Sequence, residues 1–192
     1  MLEKLPTAVG QALRNTRPGL AQLVFNDPIM AGVGPLIRVT SAAFNDGDRI
    51  PVEYTADGAK LSPPLAWEGV PDDSEALVLL VEDADSPTPW PLVHAICWDL
   101  MPADGEIAAG ALSHPGNPNG LGRNSFLQRS YLAPDPPPSH GVHRYAFQLF
   151  ACDCALSFDA APGRTALVSA LTGHVIAKGC LVGRFERKWT PP

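Results

Sequence analysis

The sequence predicts a mainly β domain with long, shaped loops, and two observations carry that prediction. Its strongest apolar runs repeat every second residue: Leu77, Leu79 and Val81; His94, Ile96 and Trp98; His143, Tyr145, Phe147 and Leu149. Residues two apart in a strand share a face, so each run marks an extended segment with one side turned to a core. Proline (21) and glycine (17) make up about a fifth of the 192 residues, which imposes many turns yet falls short of a disordered composition. That length suits one domain with a full core.

Taken in order, Leu2, Leu5, Val9 and Leu13 recur at helical spacing, and Arg17-Pro18-Gly19 would stop a helix there. Breakers follow at Asn26-Asp27-Pro28 and Gly32-Val33-Gly34-Pro35. Residues 1–35 are therefore expected to form a leader with a short helix that wraps the domain or a second subunit, the latter giving a homodimer. The main domain is expected over residues 36–192. It opens with a strand over Leu36–Phe44 and a turn at Asn45-Asp46-Gly47. Short extended pieces at Val52–Thr55 and Pro64–Trp67 precede strong strands at Ala76–Glu82 and Val93–Leu100. Residues 105–141 have little periodicity and hold the cluster Pro134-Asp135-Pro136-Pro137-Pro138, and a loop of that length is usually functional or mobile. After the strand over Gly141–Phe150, a helix is expected over Thr165–Lys178. Thr165 would cap it, Gly179 would lie past its end, and Leu167, Ala170, Leu171 and Val175 would be its buried stripe. A last strand is expected over Cys180–Arg187.

Net charge is −6 with 20 acidic against 14 basic residues, which argues against a nucleic-acid partner. No apolar run reaches the roughly 18 residues of a membrane span, and the first residues lack the apolar core of a signal peptide, so a cytoplasmic location is expected. The four cysteines then sit in a reducing environment and form no C-x-x-C pair. Cys152 and Cys154 could share a strand face and hold a soft metal, but two ordinary thiols are the preferred reading.

The chemistry collects at strand ends. Leu77, Leu79 and Val81 share a face that runs out at Asp83 and Asp85, while His94 and the pair His143 and Tyr145 lead theirs. If the first strand is antiparallel to the other two, all these polar tips meet at one sheet edge and form a pocket. Imidazolium and phenol groups donate hydrogen bonds to an anion, and a carboxylate accepts one from a protonated oxygen or fixes a histidine tautomer. The acids would repel a fully ionised ligand, so a small, partly protonated anion is favoured. Backbone N–H groups near Ser86 and in the proline-rich loop could add donors. His114, His140 and His174 read as loop or helix-surface residues, and Arg123 and Asn124 as residues that tie the long loop down. Two histidines and two carboxylates could instead hold a metal, but no H-x-H or H-E-x-x-H spacing supports that. A hydrolase with Ser62 or Ser86 as nucleophile lacks a G-x-S-x-G elbow, and there is no P-loop or dinucleotide fingerprint.

At these residues the sequence resembles the phosphatidylethanolamine-binding protein family, which includes the Raf kinase inhibitor proteins, and most closely its bacterial branch. Three blocks carry the resemblance: Asp57 to Trp67; Asp83-Ala84-Asp85-Ser86-Pro87 with His94; and Pro136-Pro137 with Gly141-Val142-His143-Arg144-Tyr145. The resemblance implies an antiparallel β-sandwich-like fold with a few peripheral helices and a small anion pocket. It puts ligand residues at Asp83, His94, His143 and Tyr145, rim residues at Pro87 and Pro137, and a backbone donor near Asp135. The chain departs from the family pattern at Ala84 and Ser86, at Ala95 after the pocket histidine and at Asp99, which suggests a more open or more acidic pocket. The expected function is non-enzymatic binding of a phosphate-like anion or phospho-head group, with no cofactor and no metal. The alternative is a protein-interaction regulator that uses the pocket as a sensor and meets a protein partner through the leader or long loop.

Overall fold

A computed structural model describes residues 7–13, 15–34, 37–113 and 120–187. Among the described residues seven strands form two antiparallel sheets, which is the expected mainly β architecture. The smaller sheet holds β1 (Arg38–Thr40), β2 (Leu65–Glu68) and β5 (Gly105–Ile107) in the order β1-β2-β5. The larger holds β3 (Ala76–Asp83), β4 (Leu92–Leu100), β6 (His143–Cys152) and β7 (Val175–Phe185) in the order β4-β3-β6-β7. Two short helices, α1 (Thr7–Ala12) and α2 (Arg164–Leu171), lie outside the sheets in sequence. No helix among the described residues is long and apolar enough to cross a membrane.

Strand β3 is buried along its whole length, because both of its faces are covered. Leu77, Leu79 and Val81 join Val39, Leu65 and Trp67 of the smaller sheet, and Phe147 and Leu149 of β6, in the core between the sheets. Val78 and Leu80 face the other way, onto Leu167 and Leu171 of α2 and Val24 and Met30 of the leader. The leader thus packs on its own chain, where 3-10 turns at Val24–Asn26 and Pro28–Met30 sit over the large sheet. Asp27 caps the second of these turns by accepting from the Ile29 N–H.

Several elements differ from the sequence reading. The strand expected over Leu36–Phe44 is regular only at Arg38–Thr40, and Val52–Tyr54 is a 3-10 turn. The expected long loop contains β5 at its start. Helix α2 stops at Leu171, and Val175 is the first residue of β7 rather than part of a helical stripe. The stop is Gly173, whose φ of 82° suits a residue without Cβ, and the β-branched pair Val175-Ile176 then favours a strand. Nor is Thr165 the cap: that position falls on Gly163, which makes no side-chain capping bond. In the first helix, Leu2 and Leu5 lie outside the described residues.

Candidate ligand pocket

The register of the large sheet creates the site. β3 runs antiparallel to both β4 and β6, so its last residue, Asp83, stands opposite Leu92 on one side and Tyr145 on the other. The polar tips therefore converge as the antiparallel arrangement requires. Beside them lies a cavity of about 490 Å³, lined by Asp83, Ser86, Pro87, His94, Asp135 and His143 together with Lys60, Phe126, Tyr131 and Pro136. That volume is ordinary for a small-molecule site.

His94 reaches the cavity by a route that strict alternation does not give. Val81 pairs with Ala95, but the next residue, Glu82, pairs with Val93, so His94 is an extra residue in β4. Such a bulge re-aims a side chain. Instead of following Ile96 onto the α2 side, the His94 ring meets Tyr145 edge to face, with centroids 5.1 Å apart. Its Nδ1 hydrogen-bonds the Leu132 carbonyl. A carbonyl only accepts, so Nδ1 carries the proton. Burial pushes the His94 pKa below its ordinary value, against the opposing pull of Asp83 and the Leu132 carbonyl. The neutral ring then has Nε2 as an acceptor.

His143 is buried at the foot of the cavity. Its Nδ1 lies 2.7 Å from Oδ2 of Asp83, whose Oδ1 accepts from the Asp85 N–H at 2.8 Å. Its Nε2 lies 2.7 Å from Nδ1 of His140, and His140 Nε2 lies 2.9 Å from the Leu13 carbonyl. Tyr145 sits beneath His94 and His143 rather than on the wall. Its hydroxyl is buried with no hydrogen-bond partner among the described residues. Burial, then the nearby charges of Asp83 and Asp135, push its pKa well above 10.0, so it remains a donor.

Asp85 is 1% exposed but does not line the cavity: β3 has ended, and its carboxylate forms a two-pronged bond with Arg144, Nε and Nη2 each at 2.7 Å. Arg17 of the leader adds a contact at 3.3 Å. Burial would raise the Asp85 pKa, but Arg144 and then Arg17 outweigh it and hold it below the ordinary value. Pro87 lines the cavity, whereas Pro137 does not and its neighbour Pro136 does. The Asp135 side chain is bound by Arg187, which also holds Asp57. Ala95 belongs to the core and Asp99 lies exposed near the opposite end of β4, so neither shapes the cavity. Asn124 does tie its loop, accepting from the Phe126 and Gln128 N–H groups and donating to the Ser130 carbonyl, while Arg123 donates to Ala161.

His140 corrects the sequence reading most sharply, since it is fully buried rather than on the surface. His174 is exposed and paired with Asp153, and His114 lies outside the described residues. Of the two cysteines considered for a metal, Cys152 is buried and its thiol is pushed up to about 12, mainly by burial. Cys154 instead lies with Asp153 and His174, their donor atoms within 4.8 Å of one another, at the end of β6 remote from the cavity.

Residues 40–186 match the family model described as phosphatidylethanolamine-binding protein. The chain belongs to the phosphatidylethanolamine-binding protein family. A UPF0098 protein of Pyrococcus abyssi is 33% identical over 180 residues, covering 92% of this chain and 100% of the relative. One of Methanothermobacter thermautotrophicus is 35% identical over 154 residues, covering 79% and 99%. Among solved structures, a homologue of phosphatidylethanolamine-binding protein from Chlamydia trachomatis aligns with a TM-score of 0.72 at 33% identity, over 79% of this chain and 98% of that one. YbcL of E. coli aligns with a TM-score of 0.74 at 21% identity, over 80% and 100%, and shows the shared fold.

Proposed function

We propose that this member of the phosphatidylethanolamine-binding protein family is a non-enzymatic binding protein for a small phosphate-like anion or phospho-head group. The observation that carries the proposal is the buried Tyr145 hydroxyl, which has no partner among the described residues and sits beside a cavity lined by Asp83, His94 and His143. A buried donor left unpaired costs about 1–3 kcal/mol, so an acceptor at this position is favoured. Phosphate monoesters and inorganic phosphate have the complementary pattern: ionised oxygens to accept from Tyr145 and a protonated oxygen to donate to His94 Nε2 or Asp83. Pro87, Pro136 and the backbone near Asp135 form the rim in this reading. Neither serine considered as a nucleophile bonds a histidine among the described residues. Ser62 Oγ accepts from the Leu112 N–H, and Ser86 Oγ pairs with Thr88 Oγ1 at 2.6 Å.

Calorimetric titration of inorganic phosphate and phosphoethanolamine at pH 6 tests the proposal. Saturable binding is expected, weakened about tenfold or more in Tyr145→Phe, which removes one hydrogen bond to a charged group and little else. Preference for phosphoethanolamine would identify a head group as the target. Absence of heat from both anions would sink the proposal.

A further inference from the structure

The chain of contacts from the cavity to the leader can be counted in protons. Leu13 offers a carbonyl, which only accepts, so His140 Nε2 is an N–H. The His140–His143 contact needs one proton between its two ring nitrogens, and the His143–Asp83 contact needs another. Three hydrogen bonds therefore require three protons, whereas two neutral imidazoles and a carboxylate supply two. We infer that Asp83, His143 and His140 together hold one extra proton, and that His140 and the leader carbonyl of Leu13 keep it there as positioning groups for the anion pocket. The trio then carries no net charge instead of one negative charge at the cavity wall, which removes the repulsion that a lone Asp83 would exert on an anion. The link to the anion rests on the function proposed above; the proton count does not.

The surroundings decide where the proton resides. Burial, with the His143 ring and the Arg17 guanidinium, outweighs the opposing pull of the Leu13 carbonyl and Asp83 and holds the His140 pKa below its ordinary value, and the Arg17 guanidinium donates to the carbonyl of His140 itself. Asp83, already an acceptor for the Asp85 N–H, favours a cation on His143. His94 from β4 is neutral, Tyr145 from β6 is an un-ionised phenol, and Arg144 is neutralised by Asp85. Asp135 acts on His94 and Tyr145 but is held by Arg187. His143 is thus the imidazolium, donating Nδ1–H to Asp83 and Nε2–H to His140. Loss of the proton at high pH must break one of the three bonds, and the contact to the leader is among them.

Nitrogen-15 spectra of the imidazole rings in the ligand-free full chain, recorded from pH 5 to pH 9, distinguish protonated from lone-pair nitrogens. At pH 7 the expected pattern is two N–H groups on His143, with His140 protonated at Nε2 and bare at Nδ1. Single neutral tautomers on both rings at that pH would overturn the inference. His140→Gln can still accept from His143 and donate to Leu13, so it should keep the doubly protonated His143, while His140→Ala should lose it. If His140→Ala fails to fold, the glutamine variant and the native chain still decide. With inorganic phosphate as probe, His140→Ala should weaken binding about tenfold and His140→Gln should restore most of it. Failure of phosphate to bind the native chain, with the doubly protonated ring intact, would count against the proposed function and leave the proton count standing.

Discussion

His94 ties the stability of this protein to pH. Its pKa lies below 6.5 because burial disfavours the imidazolium, so below that pH the unfolded chain binds a proton that the folded chain refuses. Stability should therefore fall as pH drops through the window beneath 6.5 and be indifferent to this residue above it. Urea titrations at pH 7.5, 6.0 and 5.0 on the native chain and His94→Asn check this: the variant should lose less stability on acidification, and equal losses would contradict it. Much of this residue set was legible in the sequence, because Asp83, His94, His143 and Tyr145 stand at the ends of apolar strands. The burial of His140 was not. It depends on Leu13 and Arg17 arriving from more than 120 positions away, and nothing local to a Ser-His-Gly segment announces that.

Among the elements, β7 shows how closely the two sheets are drawn together. A Cβ on Gly179 would lie 2.1 Å from the Ile37 carbonyl oxygen, just ahead of β1, while the Ile37 N–H donates to Lys178 at 2.7 Å. Gly179→Ala must push the two backbones apart, and a loss of about 1–3 kcal/mol is expected in chemical denaturation. An unchanged midpoint would mean that the segment yields freely. The sequence reading placed Gly179 beyond the end of a helix, because Val175 fits a period of 3.6 as well as a period of two. Only the pairing of β6 with β7 from Cys152 to His143 resolves that ambiguity. Similarly, β2 could be read from its own residues, whereas β5 could not: three residues, Gly105–Ile107, have too little pattern and acquire strand geometry from β2 alongside them.

For the whole molecule, Glu82 is the junction. Fully buried beside Asp83 at the end of β3, it accepts from the Val24 N–H of the leader, from Gln148 of β6 and from Arg164 at the start of α2 at 2.7 Å. Leader, sheet and helix are therefore tied at one carboxylate. Arg164→Ala would leave that charge buried without a cation, at a cost of about 3–5 kcal/mol. Denaturation followed by both tryptophan fluorescence and circular dichroism should show one earlier, coincident transition. A leader that melts separately, with the sheet unaffected, would contradict the picture of a single cooperative body.

The bulge in β4 has a consequence of its own. The direction of the His94 ring is stored as a count of residues rather than in the identity of any one of them. A chain shortened by one position between Leu92 and Ala95 could pair with the end of β3 without this bulge, yet its histidine would point toward α2. Sequence changes that preserve every pocket residue but alter the spacing here would turn the His94 ring out of the cavity, so the shape of this pocket depends on length at this point as much as on residue chemistry.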